Sequence, residues 1–119
     1  MKGTTVANKI TLKELQEKIE VGSVTIVEAL GSMYYEKEHI PGAINIPLEE
    51  VDDLAPKMLP DKAADIVVYC ASGPCQDSPR TADRLTALGY TNVTDYHEGK
   101  QEWIEEGLPL ETGLQPARS

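Results

Sequence analysis

The feature that most constrains this chain is the alternation of short, β-branched apolar runs with stretches of helical period. Val24-Thr25-Ile26-Val27, Ala43-Ile44-Asn45-Ile46, Ile66-Val67-Val68-Tyr69 and Val93-Thr94-Asp95-Tyr96 each have the length and composition of a buried strand. Leu12, Leu15 and Ile19 line one face of a helix that Thr11 and Glu14 open as a capping box and Gly22 ends. Val51, Leu54 and Met58 predict a short helix stopped by Pro60. Ala82, Leu85 and Leu88 predict another, with Ser78 as N-cap, Pro79 at the first helical position and Gly89 closing it. Trp103 and Ile104 fall on a last short helix, from about Lys100 to Glu106, before Gly107 and Pro109. Strands of this kind separated by helices imply an α/β fold, a mainly parallel sheet with helices on both faces. At 119 residues the chain is expected to be one domain, its core from about 11 to 111 between tails at 1–9 and 113–119.

Charge narrows the partners. A net charge of -9, from 20 acidic and 11 basic residues, speaks against nucleic acid or an anionic membrane surface and is expected to keep the domain soluble. No run approaches the roughly 18 apolar residues of a membrane span, and Met1 to Lys9 lack the apolar centre of a secretory signal. Two cysteines make too thin a framework for a secreted disulfide scaffold. The expected address is the cytoplasm. The acidic run Glu49 to Asp53 reads as a solvated helix start, and Tyr34, Tyr35, Tyr69, Tyr90 and Tyr96 as core and rim.

Ligands of open α/β sheets bind beyond the carboxyl ends of the strands. Cys70 ends the strongest strand pattern, and Ala71-Ser72-Gly73-Pro74-Cys75-Gln76-Asp77 separates it from the helix start at Ser78-Pro79. A thiol at a strand tip, a tight loop and a helix N-terminus aimed back at it favour thiolate over thiol. Gly73 would let the backbone fold closely around the sulfur. A buried structural cysteine is the plainer alternative, but the strand-end position favours a functional one. His39, beside the Pro41-Gly42 turn, reads as a hydrogen-bonding residue rather than a base.

His39-Ile40-Pro41-Gly42-Ala43 followed by Ile44-Asn45-Ile46-Pro47 resembles the signature of the rhodanese family. Tyr69-Cys70 with its loop, Leu85-x-x-x-Gly89-Tyr90, Val93, Glu98-Gly99, Trp103 and Gly107-Leu108-Pro109 follow in rhodanese order, so the resemblance covers about Thr11 to Glu111. It implies a five-stranded parallel sheet between helices. It also implies a cysteine, matched by Cys70, that carries sulfane sulfur as a persulfide. Members move that sulfur from thiosulfate, or from a protein or low-molecular persulfide, to a nucleophilic acceptor such as a thiol. The expected site is Cys70 as nucleophile with Ala71, Ser72, Gly73, Pro74, Cys75, Gln76, Asp77, Ser78 and Arg80 around the substrate; the backbone N–H groups from Ala71 to Asp77 cradle the sulfur. No metal or organic cofactor is implied, and the expected assembly is a monomer or weak homodimer.

Departures from the family pattern sharpen this reading. Many active rhodaneses resemble C-x-x-G-x-R-S in the loop; here Ser78 falls two places late and no Arg or Lys lies between it and Cys70. Asp77 brings a negative charge instead, which disfavours a thiolate and a dianionic donor, and Arg80 is the nearest cation in sequence. The family's Asp-x-Arg on the second strand is matched by Glu28 and Leu30, so that ion pair is absent. Glu38 stands for the Gly before His39, and Glu98-Gly99 for the Gly-Gly before the last helix.

Cys75, five positions after Cys70, is either a resolving thiol able to form a disulfide with it or an incidental loop residue. A loop that wraps Cys70 with its N–H groups would point Cys75 outward, so both thiols are expected to be free at rest and to pair under oxidant. His39 and His97 lie too far along the chain from the two cysteines to match a zinc pattern. A C-x5-R phosphatase is disfavoured because Gln76 stands at the Arg position. The alternative to a sulfurtransferase is a binding or dithiol redox-sensing module using Cys70 and Cys75.

The acidic loop yields a kinetic prediction. kcat/KM should be lower for thiosulfate than for a less charged donor such as glutathione persulfide. Asp77→Arg should improve thiosulfate use by about 1–2 kcal/mol, roughly 5- to 30-fold. A clear preference of the unaltered protein for thiosulfate would refute the electrostatic argument.

Overall fold

The computed structural model describes residues 8–73 and 75–113. Strands β1 (Asn8–Ile10), β2 (Val24–Glu28), β3 (Ile44–Asn45), β4 (Asp65–Tyr69) and β5 (Val93–Tyr96) form one parallel sheet in the order β1-β5-β4-β2-β3. The helices are α1 (Leu12–Val21), α2 (Ser32–Lys37), α3 (Val51–Met58), α4 (Asp77–Ala87) and α5 (Gly99–Glu105), with a 3-10 turn at Leu48–Glu50 leading into α3.

The period of two along each strand sorts the helices into layers. Val27, Ile66 and Val68 face Val51 and Ala55 of α3 and Ala82 and Leu85 of α4. Their neighbours Ile26, Val67 and Tyr69 face the other way, onto Leu15 of α1, Tyr35 of α2 and Trp103 of α5. Both sides of β4 are therefore buried, which is why its run is continuously apolar.

Local signals act as expected at α1: the Thr11 side chain accepts from Glu14 N–H, the Glu14 carboxylate accepts from Thr11 N–H, and Gly22 closes the helix. Two elements had no such signal. Asn8 and Lys9, expected in a tail, pair with Thr94 and Asp95, so the tail is shorter than 1–9. β1 is a mostly exposed edge strand held by backbone pairing, and its sequence carries no apolar run. α2 buries Tyr35 and leaves Met33 and Tyr34 exposed, so it lacks an apolar stripe. Residues 114–119 of the expected C-terminal tail lie outside the described residues.

The segment from His39 to Ala43 links α2 to β3 by a tight turn. Ala43 N–H donates to Ile40 O at 3.0 Å, and Gly42 takes φ +84, a left-handed value that suits glycine. His39 is buried and stacks on Tyr35 with ring centroids 3.8 Å apart. Its Nδ1 lies 2.7 Å from Tyr35 O and its Nε2 3.5 Å from Glu111 Oε1. These contacts bear out a structural histidine.

A buried polar network ties this turn to the sheet. Ile40 N–H donates to Tyr69 Oη at 3.1 Å, and Tyr69 O–H donates to Glu28 Oε1 at 2.6 Å. Lys100 Nζ reaches Glu28 Oε2 at 3.1 Å and also donates to Tyr34 O and Glu38 O at 3.1 and 2.6 Å. Glu28 is wholly buried and Lys100 nearly so. Burial pushes the Glu28 carboxyl up, against the hydrogen bond from Tyr69 and the charge of Lys100. The absent Asp-x-Arg pair is thus replaced by Glu28 and a lysine 72 positions away.

Removing one partner leaves the other charge buried and unpaired. Glu28→Gln should cost about 3–5 kcal/mol of stability, measured by urea unfolding, while Glu28→Gln with Lys100→Met should recover most of that loss. An equally unstable double variant would show that charge pairing is not the origin.

Candidate functional site

Cys70 is the first residue beyond β4, a strand flanked by β5 on one side and β2 on the other. The loop that leaves it is anchored from below by α5. Lys100 N–H donates to Cys70 O and Gln101 N–H to Ala71 O, each at 2.8 Å. Gly99 makes this approach possible: a Cβ there would lie 2.6 Å from Cys70 O and 2.9 Å from Ser72 N, and φ is +75. The glycine that follows Glu98 therefore serves loop docking.

The expected site residues are brought together in part. Ser72, Gly73, Cys75 and Asp77 are half-buried, and Ala71, Gln76 and Arg80 are exposed; Pro74 lies outside the described residues. Cys75 N–H donates to Ser72 O at 3.0 Å, so this donor of the expected cradle serves a turn instead. That turn carries the main correction. Cys75 does not point outward with a free thiol; it is bonded to Cys70 as a disulfide, with Cα atoms 6.4 Å apart. The i-to-i+3 turn shortens the path between the two positions, and their Cα separation falls within the usual disulfide range of about 4.4–6.8 Å. Cys70 is wholly buried in this arrangement.

The helix terminus also differs. α4 starts at Asp77 with Gln76 at the cap position, so Ser78 lies inside the first turn and does not cap. Its hydroxyl instead donates to Asp95 Oδ1 at 2.7 Å, because β5 brings a buried carboxylate within reach. Pro79 needs no acceptor in the first turn, so it fits at the third helical position, two places later than expected.

Ser78 Oγ lies 3.4 Å from Cys70 Sγ, so the sulfur, the hydroxyl and Asp95 form a line into the protein. Burial pushes the Asp95 carboxyl up, opposed by the Ser78 hydrogen bond and the nearby His97. His97 Nδ1 lies 3.9 Å from Asp95 Oδ2. On the loop side, a Cβ at Gly73 would lie 3.7 Å from His97 Nε2 and 3.9 Å from Glu98 Oε1. Sequence reasoning assigned neither Asp95 nor His97 to the site. The one available signal was a carboxylate interrupting an apolar strand, at Asp95.

Beside the loop is an open groove of about 410 Å³ that includes Leu30, Tyr34, Lys37, Ala71, Lys100 and Ile104. Two lysines stand there beside Glu38 and Glu105: Lys37 is exposed, whereas Lys100 is nearly buried and its ammonium is paired with Glu28. Neither was legible from sequence, since Lys37 ends α2 and Lys100 lies on α5. Arg80 is exposed, as a surface arginine is expected to be.

A strand-tip cysteine in a helix-docked loop, on a parallel sheet in this order, matches known proteins. The profile of the Rhodanese-like domain fits residues 11–106, and the chain belongs to that family. It is 38% identical over 104 residues to the HTH-type transcriptional regulator Rv0324 of Mycobacterium tuberculosis, covering 87% of this chain and 45% of the regulator. It is 42% identical over 59 residues to the thiosulfate sulfurtransferase PspE of Escherichia coli, covering 50% of this chain and 55% of that protein. The chain thus spans about half the length of these curated relatives. Among solved structures, a rhodanese with anions from E. coli superposes with a TM-score of 0.64 at 31% identity, covering 76% of this chain and 99% of that one. Among the described residues, no helix is long and apolar enough to cross a membrane.

Asp95→Asn would keep an acceptor for Ser78 and remove a negative charge from behind the sulfur. In the reduced protein, the pH profile of iodoacetamide alkylation at Cys70 should move to lower pH. An unchanged profile would detach Asp95 from the sulfur.

Proposed function

We propose that this domain is a sulfurtransferase that takes sulfane sulfur onto Cys70 as a persulfide and passes it to a thiol or other nucleophilic acceptor. The reduced Cys70 thiolate attacks the outer sulfur of the donor, and sulfite or a thiolate leaves. The acceptor then attacks the outer sulfur of the persulfide, and the Cys70 thiolate departs. The observation that carries this reading is Cys70 itself, at the tip of β4 in a loop held by α5 and backed by Ser78. The relationship to a thiosulfate sulfurtransferase supports it.

The groove beside Ala71 suits the bodies of donor and acceptor, small molecules or protein persulfides, with Lys37 available to an anionic group. Oxidation to the Cys70–Cys75 disulfide removes the nucleophile, so the reaction belongs in a reducing compartment, and the cytoplasm fits. A monomer or weak homodimer suffices, because every residue invoked comes from one chain.

The disulfide also favours a second reading, a dithiol sensor, and the likeness to a transcriptional regulator accords with it. Intact mass separates the two. Under the first reading, reduced protein given glutathione persulfide takes up one sulfur atom, which Cys70→Ser abolishes. Under the second, mild peroxide produces the disulfide and no sulfur is taken up from the donor.

A further inference from the structure

We infer that Cys75 is a second catalytic residue, which attacks the Cys70 persulfide and releases its outer sulfur as hydrosulfide. The inference rests on the persulfide reading above and adds a product, free sulfide, that transfer to an external acceptor does not give. Three observations meet at this point. Cys75 is bonded to Cys70 Sγ, the inner sulfur of the persulfide, so the loop already adopts the geometry of the product. The turn closed by Cys75 N–H and Ser72 O holds the attacking residue in place. Cys70 is wholly buried here while Cys75 is half-buried, so an external thiol has further to come than Cys75 does.

The step balances without an external oxidant. The Cys75 thiolate attacks Cys70 Sγ, the new sulfur–sulfur bond forms, the bond to the outer sulfur breaks, and hydrosulfide leaves with the electron pair. The outer sulfur is reduced from sulfane to sulfide, and the two cysteines are oxidised to the disulfide. With a persulfide donor, the reduced protein and RSSH give the disulfide form, RSH and hydrogen sulfide. With thiosulfate the products are sulfite and hydrogen sulfide. A dithiol reductant then restores both thiols by exchange. Attack from within one loop acts at an effective concentration on the order of millimolar or above, which favours it over a dilute acceptor.

The test is a single turnover of anaerobic, fully reduced protein, freed of reductant and given one equivalent of glutathione persulfide, with intact mass and sulfide both measured. The unaltered protein should release close to an equivalent of sulfide and end about two mass units lighter. Cys75→Ser and Cys75→Ala should instead gain about 32 mass units, hold that sulfur, and release roughly tenfold less sulfide. If the unaltered protein keeps the added sulfur and releases no more sulfide than the Cys75 variants, the inference fails and sulfur transfer by Cys70 stands. If neither Cys75 variant gains sulfur and the unaltered protein releases none, the persulfide reading fails with it.

Discussion

Glu28 and Lys100 form an ion pair in the apolar interior, and the geometry of the site depends on how that pair is satisfied. Two buried charges are stable there only if their remaining hydrogen-bonding capacity is met. Tyr69 on the central strand supplies a donor to the carboxylate, and the carbonyls of Tyr34 and Glu38 accept from the ammonium. Tyr69 lies on β4, and Tyr34 and Glu38 lie on α2 and at its C-terminal cap. The pair therefore fixes the second strand, the strand that ends at Cys70, the segment leading to His39 and the last helix relative to one another. The backbone of Lys100 holds the Cys70 carbonyl while its side chain holds Glu28, so one residue joins the interior to the Cys70 loop.

The loop is shaped from three sides. Gly99 lets the last helix come within backbone contact of Cys70 and Ser72 from below. Ser78 and Asp95 stand behind the sulfur, and His97 and Glu98 flank the loop at Gly73. Cys75 meets the sulfur from within the loop itself. The family pattern of a basic residue in the loop is absent, and lysines from two separate helices line the groove alongside. Of these, Lys37 is exposed while Lys100 is paired with Glu28, and the loop itself holds a second thiol in place of a cation.

The cysteine pair shows how local and tertiary effects divide. The Ser72–Cys75 turn is a local event, prefigured by Gly73 and Pro74 in the sequence. Burial of Cys70 is tertiary, imposed by the first turn of the last helix and by Ser78. Together they give a thiol that its loop partner can reach directly, in a pocket with polar neighbours on several sides.

Much of the fold was legible in the chain because its signals are local. The continuous, β-branched apolar run ending at Cys70 read as a buried strand, and the structure buries it on both faces. The Thr11 and Glu14 capping box marked the first helix to the residue, and Pro41-Gly42 marked the turn before the third strand. The place of Cys70 at a strand tip followed from the same patterns. The edge strand at Asn8–Ile10 and the helix at Ser32–Lys37 left no trace, because their stability comes from backbone pairing and docking instead of an apolar period. Ser78 read as a cap because no sequence pattern shows that a buried carboxylate on the fifth strand will claim its hydroxyl. The direction of Cys75 and the pairing of Glu28 with a lysine 72 positions away were equally out of reach. The sequence by itself determined the α/β class, the order of the main elements and the cysteine that ends the central strand, since short-range periodicity and capping encode these. Only the tertiary structure decided what surrounds that cysteine, because those partners arrive from distant segments whose meeting depends on how the whole sheet and its two helical layers pack.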